Sequence, residues 1–145
     1  HPEVELASLL AGDPPADAEA RLDRVVLALS EIFLGAEESY RAMLRLSLEP
    51  GTGSRRELVL RTGRRFLWIE DALEPVRHRL PKAEYERLAH ALAAAVGIEA
   101  LVTLIDLAGL SREEAVEVMR WSARGLLRAA LAETDPADGP APPAG

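Results

Sequence analysis

Few residues in this chain could do chemistry. The histidines are His1, His78 and His90, and there is no cysteine, so disulfides, thiolate metal sites and thiol nucleophiles are excluded. Glu86 stands four residues before His90, a spacing that puts both on one helix face. A metal held there would need further ligands from elsewhere, and a surface ion pair is the simpler expectation. Glu70, Asp71 and Glu74 form an acidic cluster. General acid–base work needs two carboxylates in unlike environments facing one cavity, which neighbouring helix positions do not supply. A solvated acidic face is expected, although one carboxylate turned inwards would anchor a cationic or hydroxylated ligand. Gly51-Thr52-Gly53-Ser54 lacks the Lys of a phosphate loop and follows no strand. With no assembled nucleophile, acid–base pair, metal set or cofactor motif, the expectation is a protein that is not an enzyme and uses no cofactor.

What remains is a group of large side chains in the middle of the chain: Phe33, Tyr40, Met43, Leu44, Phe66, Trp68 and Ile69. Such groups at helical spacing commonly make core. In a helical domain with a kinked element they also line apolar cavities, the usual form of a small-molecule site. They are the candidate ligand-binding residues.

The elements that position them are helices. The chain has 145 residues, enough for one domain with a substantial core. Ala, Leu, Arg and Glu dominate, and nothing alternates as a strand does. A net charge of −7 argues against nucleic-acid binding through the overall field. The densest basic run, Arg55, Arg56, Arg61, Arg64 and Arg65, reads as a solvated helix face.

Along the chain, the pattern predicts a short helix over Val4–Leu10 and a start at Asp13-Pro14-Pro15. A helix from about Pro15 to Leu34 follows, with a stripe of Leu22, Val25, Val26, Leu29, Ile32 and Phe33. The next spans Glu37 to Leu48 and meets Pro50-Gly51. Ser54-Arg55-Arg56-Glu57 is a capping box opening a helix towards Leu80, with a kink or break expected near Asp71–Pro75. Residues 1–133 are expected to form the helical domain, and the Pro-, Ala- and Gly-rich 134–145 a disordered tail.

The last long pair, Lys82–Ala108 and Arg112–Ala132, is joined by Gly109-Leu110-Ser111. Between Ala91 and Leu110 the only ionisable side chains are Glu99 and Asp106, more apolar surface than one neighbouring helix covers. These two charges also argue against a membrane span, no signal peptide is visible, and cytoplasm is the expected location. Ser111-Arg112-Glu113-Glu114 is a second capping box. Apolar or small residues follow at Ala115, Val118, Met119, Ser122, Leu126 and Ala129. Gly97 and Gly125 lie inside the two expected helices, where Gly costs about 1 kcal/mol against Ala, and small neighbours suggest a close helix crossing. The pair is therefore expected to form half of a four-helix homodimer interface through Ala93, Gly97, Ala100, Leu101, Leu104, Ala108, Met119, Ser122, Leu126 and Ala129.

The stretch from Arg64 to Pro75, then Leu80-Pro81, Gly97-Ile98-Glu99-Ala100-Leu101, Asp106–Ser111 and Glu114-Ala115 resembles the C-terminal regulatory domain of TetR-type bacterial transcriptional regulators. The likeness runs from about Ala16 to Ala132. It implies an all-α stack enclosing a small-molecule effector, with the last two long helices forming the dimer interface. It also implies a DNA-binding helix-turn-helix domain, expected upstream of His1, whose repressor activity the effector controls. The rival expectation is a helical dimerisation or interaction module with a filled interior and no ligand.

Overall fold

The computed structural model describes Leu10, residues 16–49 and residues 54–134, with side chains in the last stretch from residue 63 onward. The expected Asp13 helix start, the Pro50-Gly51 break and, of the expected 134–145 tail, all but the helical Thr134 lie outside these residues, as does all but Leu10 of the expected Val4–Leu10 helix. The described residues form six α-helices and no strand.

Helix α1 spans Ala18–Gly35. Asp17 stands before it in extended backbone, and its carboxylate accepts the Ala20 N–H at 3.2 Å. This satisfies one of the free donors of the first turn. Leu22, Val25, Val26, Leu29 and Phe33 make its buried stripe. Ser30 is buried among them because its hydroxyl donates to the Val26 carbonyl at 2.8 Å. Helix α2, Glu37–Ser47, buries no residue fully and lies against the core with one face. Helix α3, Ser54–Leu73, ends two residues before Pro75, and a 3-10 segment over Glu74–Arg79 carries the chain to Pro81. The expected break is therefore present. Pro75 occupies the first turn of the tighter helix, where its missing N–H is not needed.

The long helix expected over Lys82–Ala108 is not continuous. Helix α4, Lys82–Ala95, stops at Val96 and Gly97. The chain resumes as α5, Ile98–Val102, and a π-helical turn, Thr103–Leu107, bent 42° from α4. The bend turns much of the apolar run into the chain's own core, where Leu92, Ala93, Val96, Ile98 and Leu101 are all buried. Gly109 then takes φ +74°, a left-handed conformation that favours glycine. Helix α6 runs Arg112–Thr134. Its capping box forms as expected: the Glu114 N–H donates to Ser111 Oγ and the Ser111 N–H to Glu114 Oε1, each at 3.1 Å.

Helices α1, α3, α4 and α6 close a ring: α1 packs on α3, α3 on α4, α4 on α6 and α6 on α1. α2 and α5 meet each other and pack beside the ring on α3 and α6 respectively. The side of α6 facing the ring is Ala115, Met119, Ala123 and Leu127. This corrects the expected stripe, since Val118 and Ala129 lie on the outside. A helix wedged between two neighbours buries a four-residue ladder and its flanks, and Val118 falls beyond both.

Arginine–carboxylate pairs tie the ring from outside. Arg120 is bidentate to Asp23, both bonds 2.8 Å, and Arg128 pairs with Glu19, fastening α6 to α1. At the turn end, Arg112 is bidentate to Glu37, Glu37 accepts from Arg41, and Arg41 is bidentate to Asp106. Among the described residues no single helix is long and apolar enough to cross a membrane; α4 with the bent arm passes that test only as a broken pair.

Two glycines in contrasting settings test this backbone. Gly63 lies inside α3, and a methyl group placed on its Cα meets nothing within 4 Å, so Gly63→Ala is expected to raise stability by about 1 kcal/mol in urea denaturation. Gly109→Ala, at positive φ, is expected to lower it by about 1 kcal/mol. The Arg120 hydrogen bond holds the Asp23 carboxyl below its ordinary pKa, against the opposing effect of burial. A lowered folded-state pKa contributes stability above the unfolded value, lost as pH falls through the folded one. Asp23→Asn should therefore cost stability at neutral pH, with the gap to the parent shrinking below about pH 4 in a thermal-melt series.

Candidate functional site

Among the described residues the one buried charged side chain lies where α3 meets the bend after α4. Arg65 projects from α3 into this region and is buried. Its guanidinium Nη1 donates to Glu99 Oε1 at 2.9 Å and Oε2 at 3.3 Å. Gly97 explains how the group fits: a Cβ at this position would coincide with Arg65 Nη1. The glycine backbone is extended, φ −91° and ψ −176°, a conformation open to any residue. Space for the guanidinium, not backbone freedom, is what requires glycine here.

The buried Arg65 Nε, Trp68 Nε1 and Tyr85 hydroxyl find no hydrogen-bond partner among the described residues. Tyr85 lies with its ring under the Arg77 guanidinium at 5.2 Å, and burial, then the charge of Glu70, push its pKa up. An unpaired buried donor is costly, so such a concentration marks polar chemistry inside an otherwise apolar shell.

The candidate ligand residues divide between several surroundings. Phe33 and Tyr40 meet edge to face with ring centroids 4.9 Å apart, joining α1 to α2. Met43 and Leu44 are half-buried on α2. Trp68 and Ile69 are enclosed in the ring. Phe66 is half-buried and turned to α4, where its ring meets His90 edge-on at 6.0 Å. His90 thus contacts an aromatic ring, and no metal-holding group of three or more His, Asp or Glu exists among the described residues. In the acidic cluster Glu70 and Glu74 are exposed. Asp71 accepts from Arg21, chiefly through its backbone carbonyl at 2.6 Å.

The residues expected at a dimer interface also divide. Ala93, Gly97, Leu101 and Met119 are enclosed by their own chain, which leaves a second copy almost nothing to touch. Ala100, Leu104, Ser122 and Leu126 are half-buried, while Ala108 and Ala129 are exposed. The uncovered face of α6 centres on Trp121, 69% exposed, with Val118, Gly125 and Ala129 beside it. Nothing lies within 4 Å of a Cβ built on Gly125. Leu107, on the π-helical turn, is 83% exposed.

A surface cleft of about 190 Å³ opens between the start of α1 and α6, lined by Asp17, Glu19, Asp23, Arg120 and Arg124 among others. Its carboxylates are engaged: Asp17 caps α1, Asp23 holds Arg120 and Glu19 holds Arg128.

Sequence reasoning missed the Arg65–Glu99 pair by placing Arg65 on a solvated face. The signal was Glu99 itself, an acid in a long apolar run, whose half-exposed carboxylate meets the buried guanidinium. The chain matches no protein-family model, no curated protein and no solved structure.

Gly97→Ala is expected to cost about 1–3 kcal/mol in urea unfolding by pushing the guanidinium off Glu99. Its effect should be strongly sub-additive with Arg65→Met, because both changes act through one group.

Proposed function

We propose that this chain is the effector-binding and dimerisation domain of a TetR-like bacterial transcriptional repressor, with operator contact made by a separate helix-turn-helix domain. The observation that carries the proposal is the outer face of α6. A tryptophan and a valine stand in water beside a helix-interior glycine against which none of the described residues packs. Gly125 lowers the helix's own stability, and no contact among the described residues accounts for it. A second copy does: the glycine lets another helix approach closely, and Trp121 is the type of side chain that anchors interfaces.

The charges of α6 fit this partner. On the Trp121 side of α6, Glu114 and Glu117 lie before Trp121, and Arg124 and Arg128 after it, while Arg112 and Arg120 turn to Glu37 and Asp23. Two copies crossing antiparallel therefore set acidic ends against basic ones, as a two-fold, self-complementary interface requires. In this reading the dimer contact passes from the residues first expected to the Trp121 face of α6. Control of DNA binding follows if the effector has unequal affinity for two arrangements of the dimer.

Sedimentation equilibrium at micromolar concentration is expected to return a dimer, and Trp121→Glu a folded monomer with an unchanged helical circular-dichroism spectrum. A monomeric parent chain would overturn the dimerisation domain. A dimer whose melting temperature responds to no small molecule would favour the ligand-free interaction module.

A further inference from the structure

Two of the unpartnered donors belong together. Arg65 and Trp68 are three residues apart on α3, the separation that places side chains on neighbouring positions of one helix face. Trp68 is 6% exposed and the Arg65 side chain 11%, and both Arg65 Nε and Trp68 Nε1 lack an acceptor among the described residues. Tyr85 lies instead with Arg77 and under the influence of Glu70 and Glu74. The α3 pair therefore offers two N–H groups, in an apolar interior, to something that accepts hydrogen bonds.

The charge of that acceptor follows from what Arg65 already holds. Its guanidinium is matched by the Glu99 carboxylate through Nη1. A second anion would stand beside the Glu99 carboxylate that already matches the guanidinium, and the two like charges would repel. A cation would face the guanidinium of Arg65. An uncharged acceptor meets neither obstacle. We propose that Arg65 Nε and Trp68 Nε1 are the polar anchor of the effector site, and that the effector is an apolar molecule carrying a neutral carbonyl, of ketone or lactone type. The proposal rests on the effector-binding function above and narrows it to a ligand class. Trp68 and Ile69 lie where sequence reasoning sought the ligand; Arg65 supplies the polar partner that the apolar candidates lacked.

Three probes with the same chain length test it: 2-undecanone, undecane and undecanoate. Binding to the whole chain is followed by titration calorimetry and by the shift in melting temperature. The ketone is expected to bind about tenfold tighter than the hydrocarbon, the worth of a well-made hydrogen bond, and tighter than the carboxylate by at least about that factor. Trp68→Phe removes one of the two donors and should lower the ketone-to-hydrocarbon ratio severalfold. Glu99→Gln leaves the guanidinium charge unmatched and should invert the order of ketone and carboxylate, a result that decides the matter even where Trp68→Phe does not fold. Equal binding of undecane and the ketone, an unchanged order in Glu99→Gln, or no binding of any probe would overturn the proposal and leave the two donors to internal water. The dimer is read separately by sedimentation. A dimer that ignores the ketone sinks this inference alone, whereas a monomer that binds it sinks the dimerisation reading alone.

Discussion

A guanidinium inside a helical core has to be housed, and the housing of Arg65 decides the path of the chain's second half. Its charge needs a carboxylate, which Glu99 provides, and its bulk needs a place with no side chain, which Gly97 provides. Both partners follow α4 directly, so α4 ends there and the chain turns by 42°. The turn carries Ile98 and Leu101 inwards and leaves Leu107 outside. One buried cation thereby links the interior of the ring to the shape of the arm leading into the α6 hairpin.

Much of the helical framework was legible because it depends on local chemistry. The capping box at Ser111 and the break before Pro75 are effects of a few neighbouring residues, and both stand as expected. The stripe of α1 was legible for a related reason: its large aliphatic residues recur at helical spacing and all face one way. α6 was harder to read, because Ala, Ser and Gly occur around its whole circumference. Composition says little there about which side is inside, and the ring chose Ala123 and Leu127 over Val118 and Ala129.

The interior was less legible still. Gly97 and Gly125 look alike in sequence, each a glycine in a small-residue setting. In the fold they are opposites, one occupied by a neighbour's charge and the other facing open space. That distinction depends on contacts between residues more than thirty positions apart, such as Arg65 with Glu99. Phe66 and Trp68 differ in the same way. Two residues apart on one helix, they point apart, one to His90 at the rim and one into the ring.

The chain of charges running Arg112, Glu37, Arg41 and Asp106 joins the start of α6, the face of α2 and the π-helical turn. Each link is short, yet most of these side chains remain in contact with water, where dissolved ions compete for them. Concentrated salt consequently loosens the hairpin's turn end while the greasy ring tightens. The molecule thus has one end that stiffens in dilute buffer and a middle that does not, so hydrogen exchange around Gly109 should track ionic strength far more closely than exchange at Leu92.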